Sequence, residues 1–174
     1  LGGAARGAGL GIEVDHHLLP LQVGELHGGI AGGGGGAFFG GDGVFKSIDN
    51  GETWTLLPST SNGNVHIFNT PWRFVNNIAV NPSTGSVFAA ASNVVMRSQD
   101  GGTNWNTVRS TLANATMSDI QITSTGVIYA GIPAGLQDAG ISRSNDDGTS
   151  WTDITPGGFP VNYGRIVITI APSN

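Results

Sequence analysis

Three carboxylates stand at the same place in three similar eight-residue strings, beginning at positions 47, 98 and 144, and so 51 and 46 residues apart. The strings share Ser, Asp, Gly and Trp at positions one, three, five and eight: Ser47, Asp49, Gly51 and Trp54; Ser98, Asp100, Gly102 and Trp105; Ser144, Asp146, Gly148 and Trp151. Carboxylates with backbone carbonyls nearby can hold calcium, and paired carboxylates can act as acid and nucleophile. A simpler chemistry competes with both: a short Asp or Ser side chain accepts hydrogen bonds from turn amides that a strand ladder leaves unpaired. That compact turn accounts for the spacing. The twelve residues are read as structural, with no metal and no cofactor expected.

The remaining acidic residues of the repeat region, Asp42, Glu52, Asp119, Asp138, Asp147 and Asp153, offer no pair that spacing singles out as catalytic. Asp42 and Asp138 read as turn formers. The run Gly40-Gly41-Asp42-Gly43-Val44-Phe45-Lys46-Ser47 lacks the glycine directly before lysine, and the following helix, that a phosphate-binding loop needs. His16, His17, His27 and His66 lack the spacing and companions of a zinc site. Asn114-Ala115-Thr116 fits a glycosylation acceptor, a tripeptide that arises often by chance.

The elements that position these strings read as strands and turns. Residues 1–43 hold 16 of the 29 glycines, including the unbroken run Gly32 to Gly36. Such a composition buries little apolar surface per residue ordered, so residues 1–36 are expected to be a glycine-rich linker or loop, with short strand-like pieces at Gly11 to Val14 and Leu18 to Val23. From Ala37 onward, short runs of β-branched and aromatic residues alternate with Gly, Asn, Asp, Ser and Pro clusters. Strands are expected at Ala37 to Phe39, Gly43 to Ser47, Trp54 to Leu57, Asn76 to Val80, Ser86 to Ala90, Val94 to Ser98, Trp105 to Val108, Asp119 to Thr123, Val127 to Ala130, Gly140 to Ser144, Trp151 to Ile154 and Arg165 to Ile170.

The similarity reaches upstream of the strings. Gly85-Ser86-Val87-Phe88-Ala89-Ala90 matches Gly126-Val127-Ile128-Tyr129-Ala130-Gly131, and Asn77-Ile78-Ala79-Val80-Asn81-Pro82 matches Asp119 to Thr123 and Val167 to Pro172. Each unit then has four strands, the makeup of a propeller blade. The expected fold is all-β: about three to four four-stranded antiparallel β-propeller blades over residues 37–174, an incomplete propeller.

The strings resemble the Asp box, or BNR repeat, whose pattern runs Ser/Thr-x-Asp-x-Gly-x-Thr-Trp. Asn104 and Ser150 depart from the Thr at position seven. Families carrying this repeat include sialidases, xyloglucan-degrading hydrolases, sortilin-type receptors and photosystem assembly factors, and in them the boxes are peripheral turns away from the catalytic pocket. A sialidase-like site needs clustered arginines, a tyrosine nucleophile with a carboxylate partner and a separate acid. Arg73, Arg97, Arg109, Arg143 and Arg165, with Tyr129 and Tyr163, are the available residues, but the arginine-isoleucine-proline element is absent. Lys46, Arg97 and Arg143 each precede a box serine and so read as equivalent blade positions. The wording from Phe45 to Trp54, with Ile78 to Pro82, is similar to bacterial secreted or cell-surface repeat proteins of the Bacteroidota type. That resemblance implies a surface module that binds a glycan or protein ligand or serves as a scaffold; the alternative is part of a glycoside hydrolase whose catalytic residues lie partly outside this chain.

Charged residues make up 11 % of the chain and the net charge is −5, which leaves no basic surface for a phosphate backbone, so nucleic acid is not an expected partner. Cysteine is absent, which excludes disulfides and thiolate metal sites. No apolar run reaches eighteen residues, so membrane insertion by a helix is not expected either. Each repeat Trp is expected to be buried between blades. Arg165 to Ile170 is expected to be an exposed edge strand, completed by further blades of a longer chain or by other copies.

Overall fold

The computed structural model describes residues 11–12, 22–25, 43–61, 63, 70–110, 119–134 and 139–171. The expectations for Ala37 to Phe39, Asp42, Asn114 to Thr116, Asp138 and the four histidines lie outside the described residues, as does most of the segment 1–36.

The described strands form three four-stranded antiparallel meanders. The first sheet runs β1 (Gly11–Ile12), β2 (Gln22–Glu25), β3 (Val44–Ser47) and β4 (Thr55–Leu56). The second runs β5 (Asn77–Val80), β6 (Val87–Ala91), β7 (Val94–Ser98) and β8 (Asn106–Ser110). In the third come β9 (Asp119–Ile122), β10 (Ile128–Ile132), β11 (Gly140–Ser144) and β12 (Thr152–Asp153). Single turns of 3-10 helix at Pro58–Thr60 and Pro71–Arg73 connect the first sheet to the second, each with proline at its start, where its fixed φ and missing N–H are tolerated.

Two differences from the sequence expectation concern the chain's ends. The glycine-rich segment supplies β1 and β2, and β2 pairs with β3 from Gln22 opposite Ser47 to Glu25 opposite Val44. The composition boundary at Ala37 is therefore not a sheet boundary, because ladder hydrogen bonds use backbone groups that glycine carries as well as any residue. Arg165 to Ile170, expected to be a strand, belongs to no ladder. It lies against the third sheet instead: Ile166 is buried beside Gly131, and the Ile168 amide donates to Asp119 Oδ2 at 2.8 Å.

Alternation along the strands builds two cores. Val87, Ala89 and Ala91 of β6 join Ile78, Val80 and Met96 and, from the first sheet, Val44, with Trp72 and Val75 closing the cluster. Phe88 and Ala90 point the other way, with Ala79 and Val95, onto Ile120, Ile128, Ala130 and Ile132 of the third sheet. The second sheet is thus covered on both faces, which is why β6 reads as an unbroken apolar run. Its three alanines, all fully buried, leave room for the larger side chains opposite.

Each later turn approaches the preceding sheet closely. Gly102 has φ 95°, and a Cβ there would stand 2.4 Å from Leu57 Cδ1 of the first sheet's last strand end. Gly148 has φ 82°, and its Cβ would stand 2.9 Å from Phe88 Cε1 and 3.4 Å from Val108 Cγ2. Glycine is required here for backbone and for space. Gly85 also has a positive φ, of 76°, but nothing lies within 4 Å of where its Cβ would be. Gly85→Ala is therefore expected to cost about 1–2 kcal/mol from the left-handed backbone alone, and Gly102→Ala about 1 kcal/mol or more beyond that from overpacking. Equal denaturation midpoints for the two variants would show that the inter-sheet approach is not tight.

Candidate functional site

The repeated turns are the best-defined polar arrangement in the molecule. In each eight-residue string, here called an octet, the serine ends the third strand of its sheet and the tryptophan leads into the fourth. The serine Oγ accepts from the glycine amide four residues on, at 2.8 Å for Ser47, 2.8 Å for Ser98 and 2.9 Å for Ser144. The same hydroxyl donates to Oδ1 of the octet Asp at 2.7, 2.9 and 2.8 Å. That oxygen also accepts the backbone amide of position seven, Thr53, Asn104 or Ser150, at 2.9, 2.8 and 2.8 Å.

Oδ2 takes the side chain of position seven: Thr53 Oγ1 at 2.5 Å, Asn104 Nδ2 at 2.7 Å and Ser150 Oγ at 2.5 Å. The departures from Thr at this position therefore lose nothing, since the turn asks for a side-chain donor and an amide or a serine hydroxyl supplies it. Each Trp Nε1 donates to the octet glycine carbonyl, at 3.2, 3.1 and 3.2 Å. A feature that sequence reading missed is that position four is left-handed as well: Asn50, Gly101 and Asp147 have φ 58°, 68° and 56°. Asn, Gly and Asp are the residues that tolerate this conformation, which is the signal the sequence held.

Hydrogen bonds from hydroxyl, amide and backbone groups hold the carboxyls of Asp49, Asp100 and Asp146 at about 2, well below the ordinary 3.8. With both oxygens of each carboxylate engaged inside its own turn, the geometry favours a staple over an acid. Among the described residues no group of three His, Asp or Glu side chains could hold a metal ion.

The other acidic residues also hold the fold. Asp147, at position four of the third octet, accepts Asn81 Nδ2 at 2.8 Å and Thr84 Oγ1 at 2.9 Å on Oδ1, and Ser86 Oγ at 2.7 Å on Oδ2. Arg97 of β7 donates to its carbonyl at 2.5 Å and pairs with its carboxylate at 3.7 Å. Every one of these partners belongs to the second sheet or its turns, so Asp147 latches the third sheet to the second. Lys46 makes the equivalent reach from the first sheet to the Gly101 carbonyl at 3.2 Å. Asp119 is buried and bonds the Asn77 amide, the Ile120 backbone amide and the Ile168 amide. Asp153 is bonded to Thr155.

The arginines and tyrosines weighed for a sialidase-like site are dispersed. Arg97 serves the latch, Arg109 lies over the Trp151 ring at 5.7 Å, and Tyr163 donates to the Ile132 carbonyl at 3.1 Å. Burial raises the Tyr163 phenol above its usual value, with the Asp153 charge adding to it.

The octet tryptophans are not equally covered. Trp105 stacks edge-on to Trp72 at 4.8 Å, and Trp151 spans to the second sheet, its Nε1 also donating to the Val108 carbonyl at 3.1 Å. Trp54 is 42 % exposed, which corrects the expectation that all three are buried. The reason is positional: the later octets rest on a preceding sheet, and the first belongs to the first sheet.

No family model matches the chain, and no curated protein does. Among solved structures it is similar to a GH74 enzyme from Niastella koreensis, with TM-score 0.55 and 20 % identity, over 83 % of this chain and 21 % of that one. It is also matched to a protein of unknown function from Dyadobacter fermentans, at TM-score 0.40 and 21 % identity over 76 % of this chain and 45 % of that one, a likeness too low to carry an argument. The chain spans about a fifth of the GH74 enzyme's length. The three meanders are blades of a β-propeller fold, all-β and antiparallel, as the repeat pattern implied.

Two measurements check the turns. Because the octet carboxyls are depressed in the folded state, their stabilising contribution is present above the ordinary value of 3.8 and is lost as pH falls towards about 2. The melting temperature should drop across that window, and less steeply for Asp100→Asn; carboxyl titrations by NMR at the ordinary value would contradict the bonding described. For the indoles, Trp105→Ala and Trp151→Ala should each cost about 2–4 kcal/mol and Trp54→Ala under about 1 kcal/mol. An equal loss at all three positions would show that Trp54 is as well packed as the others.

Proposed function

We propose that this chain is a β-propeller module of the Asp-box type, secreted or displayed at a cell surface, that binds a glycan or protein ligand or acts as a scaffold. The observation that supports a non-catalytic reading is the use of its carboxylates. Asp49, Asp100, Asp119, Asp146, Asp147 and Asp153 all have hydrogen-bonded roles within turns or between sheets. A glycosidase needs two carboxyls facing one cavity, one free to give a proton and one free to attack or activate water. Carboxylates bonded by several donors are poor at both tasks, since each donor favours the ionised form and fills a lone pair. The repeat wording shared with bacterial surface proteins supports the location and the binding role.

The fold shared with a GH74 enzyme sustains a second reading, in which these blades are part of a glycoside hydrolase whose acid and nucleophile lie partly outside this chain. The two readings separate on one preparation. The purified chain is expected to bind an extracellular glycan or protein in an array or pull-down, and to release no product from xyloglucan, other β-glucans or sialosides. Turnover that disappears on substituting Asp42, Asp119 or Asp138 would overturn the binding reading in favour of the hydrolase.

A further inference from the structure

One contact pattern is used twice between neighbouring sheets. A cation directly before an octet serine reaches the position-four carbonyl of the next octet: Lys46 to Gly101 at 3.2 Å, and Arg97 to Asp147 at 2.5 Å. The residue three places after the octet Trp meets the next octet's glycine: Leu57 against Gly102, and Val108 against Gly148. Phe88, opposite Arg97 in the ladder, lies under Gly148 as well.

The third sheet presents the same set. Arg143 precedes the octet serine, Ile154 stands three places after Trp151, and Tyr129 lies opposite Arg143 in the ladder as Phe88 does opposite Arg97. Ile128, Ala130 and Ile132 of β10 face the second sheet, so Tyr129 faces the other way. Among the described residues this outer face has a partner only at the Gly131 end, where Ile166 and Ile168 lie. Arg143 Nε is buried with no hydrogen-bond partner, and Tyr129 and Ile154 are only partly covered, where Phe88 is fully buried.

The complementary half stands at the other end. The first octet has Asn50 at position four in the left-handed conformation of Gly101 and Asp147, Gly51 at position five with φ 84°, and the exposed Trp54. Ile48 beside them is 75 % exposed. We propose that the outer face of the third sheet, formed by Arg143, Tyr129 and Ile154, docks the first octet of a second copy of this chain, head to tail. Arg143 then donates to the Asn50 carbonyl, Gly51 lies against Tyr129 and Ile154, and Trp54 gains the cover that Trp105 and Trp151 already have. The interface is continuous in kind with two that exist inside the molecule. It is heterologous, so each copy offers one donor face and one acceptor face.

The test is sedimentation velocity on the full chain across a concentration series, with folding of each variant checked by circular dichroism and melting. The wild type should associate with rising concentration. Arg143→Met and Trp54→Ala should each weaken that association by about tenfold or more, and Arg143→Lys should retain it, because Lys46 fills the same role. An equimolar mixture of the Met and Ala variants should form a dimer and nothing larger, since only one intact pair of faces remains in it. If Arg143→Met fails to fold, Ile154→Asp breaks the same face independently. A monomeric wild type at all concentrations, association untouched by either substitution, or a mixture that stays monomeric while the wild type associates would overturn the proposal.

Discussion

A serine hydroxyl held between a glycine amide and an aspartate carboxylate is the interaction on which the arrangement of sheets depends. It forces the chain through two consecutive left-handed residues, at 50–51, 101–102 and 147–148, and the carboxylate then gathers the amide and side chain of position seven. Left-handed backbone is costly for most residues, and the hydrogen bonds inside the turn offset that cost. The result is a rigid corner that presents a Cβ-free glycine and an outward carbonyl. Both are then used by the neighbouring sheet: the glycine admits Leu57 or Phe88 at close range, and the carbonyl accepts from Lys46 or Arg97.

Packing between sheets follows from that corner. With a turn seated on the preceding sheet, the strands behind it are brought face to face, and the second sheet becomes buried on both sides. Polar latches sit at the seams where the apolar cores end. Asp147 with Asn81, Thr84, Ser86 and Arg97 closes one seam, and Asn77 with Asp119 ties the starts of β5 and β9. Buried polar groups are tolerated there because each finds partners, and the same partners discourage any other register between the sheets. An acidic residue committed in this way is withdrawn from proton transfer, which links the architecture to the binding role proposed for the molecule.

Much of this was legible in the residues. The octet pattern implied a self-bonded hairpin turn, and the strand runs from Asn77 to Ser98 and from Asp119 to Ser144 coincide with β5 to β7 and β9 to β11 within a residue or two. These segments combine period-two or continuous apolar patterning with glycine-marked turns, signals that are local and therefore readable. β1 and β2 were harder to place, because glycine-rich strands carry no side-chain pattern and are defined by pairing alone. Arg165 to Ile170 shows the opposite error: its β-branched composition is that of a strand, yet a strand exists only where a neighbour completes its ladder.

The sequence by itself determined the repeat, the turn chemistry and the all-β class, since each of these is set by residues within about ten positions of one another. The tertiary structure alone decided which side chains those turns would meet. Asp147 gave no sign of being a latch, because its four partners lie 50 to 66 residues away. Trp54, Trp105 and Trp151 are identical in local context and differ in exposure because only the second and third octets rest on a sheet that precedes their own. Local hydrogen bonding depends on spacing along the chain, while burial depends on which surfaces are brought together in space, and no spacing records that.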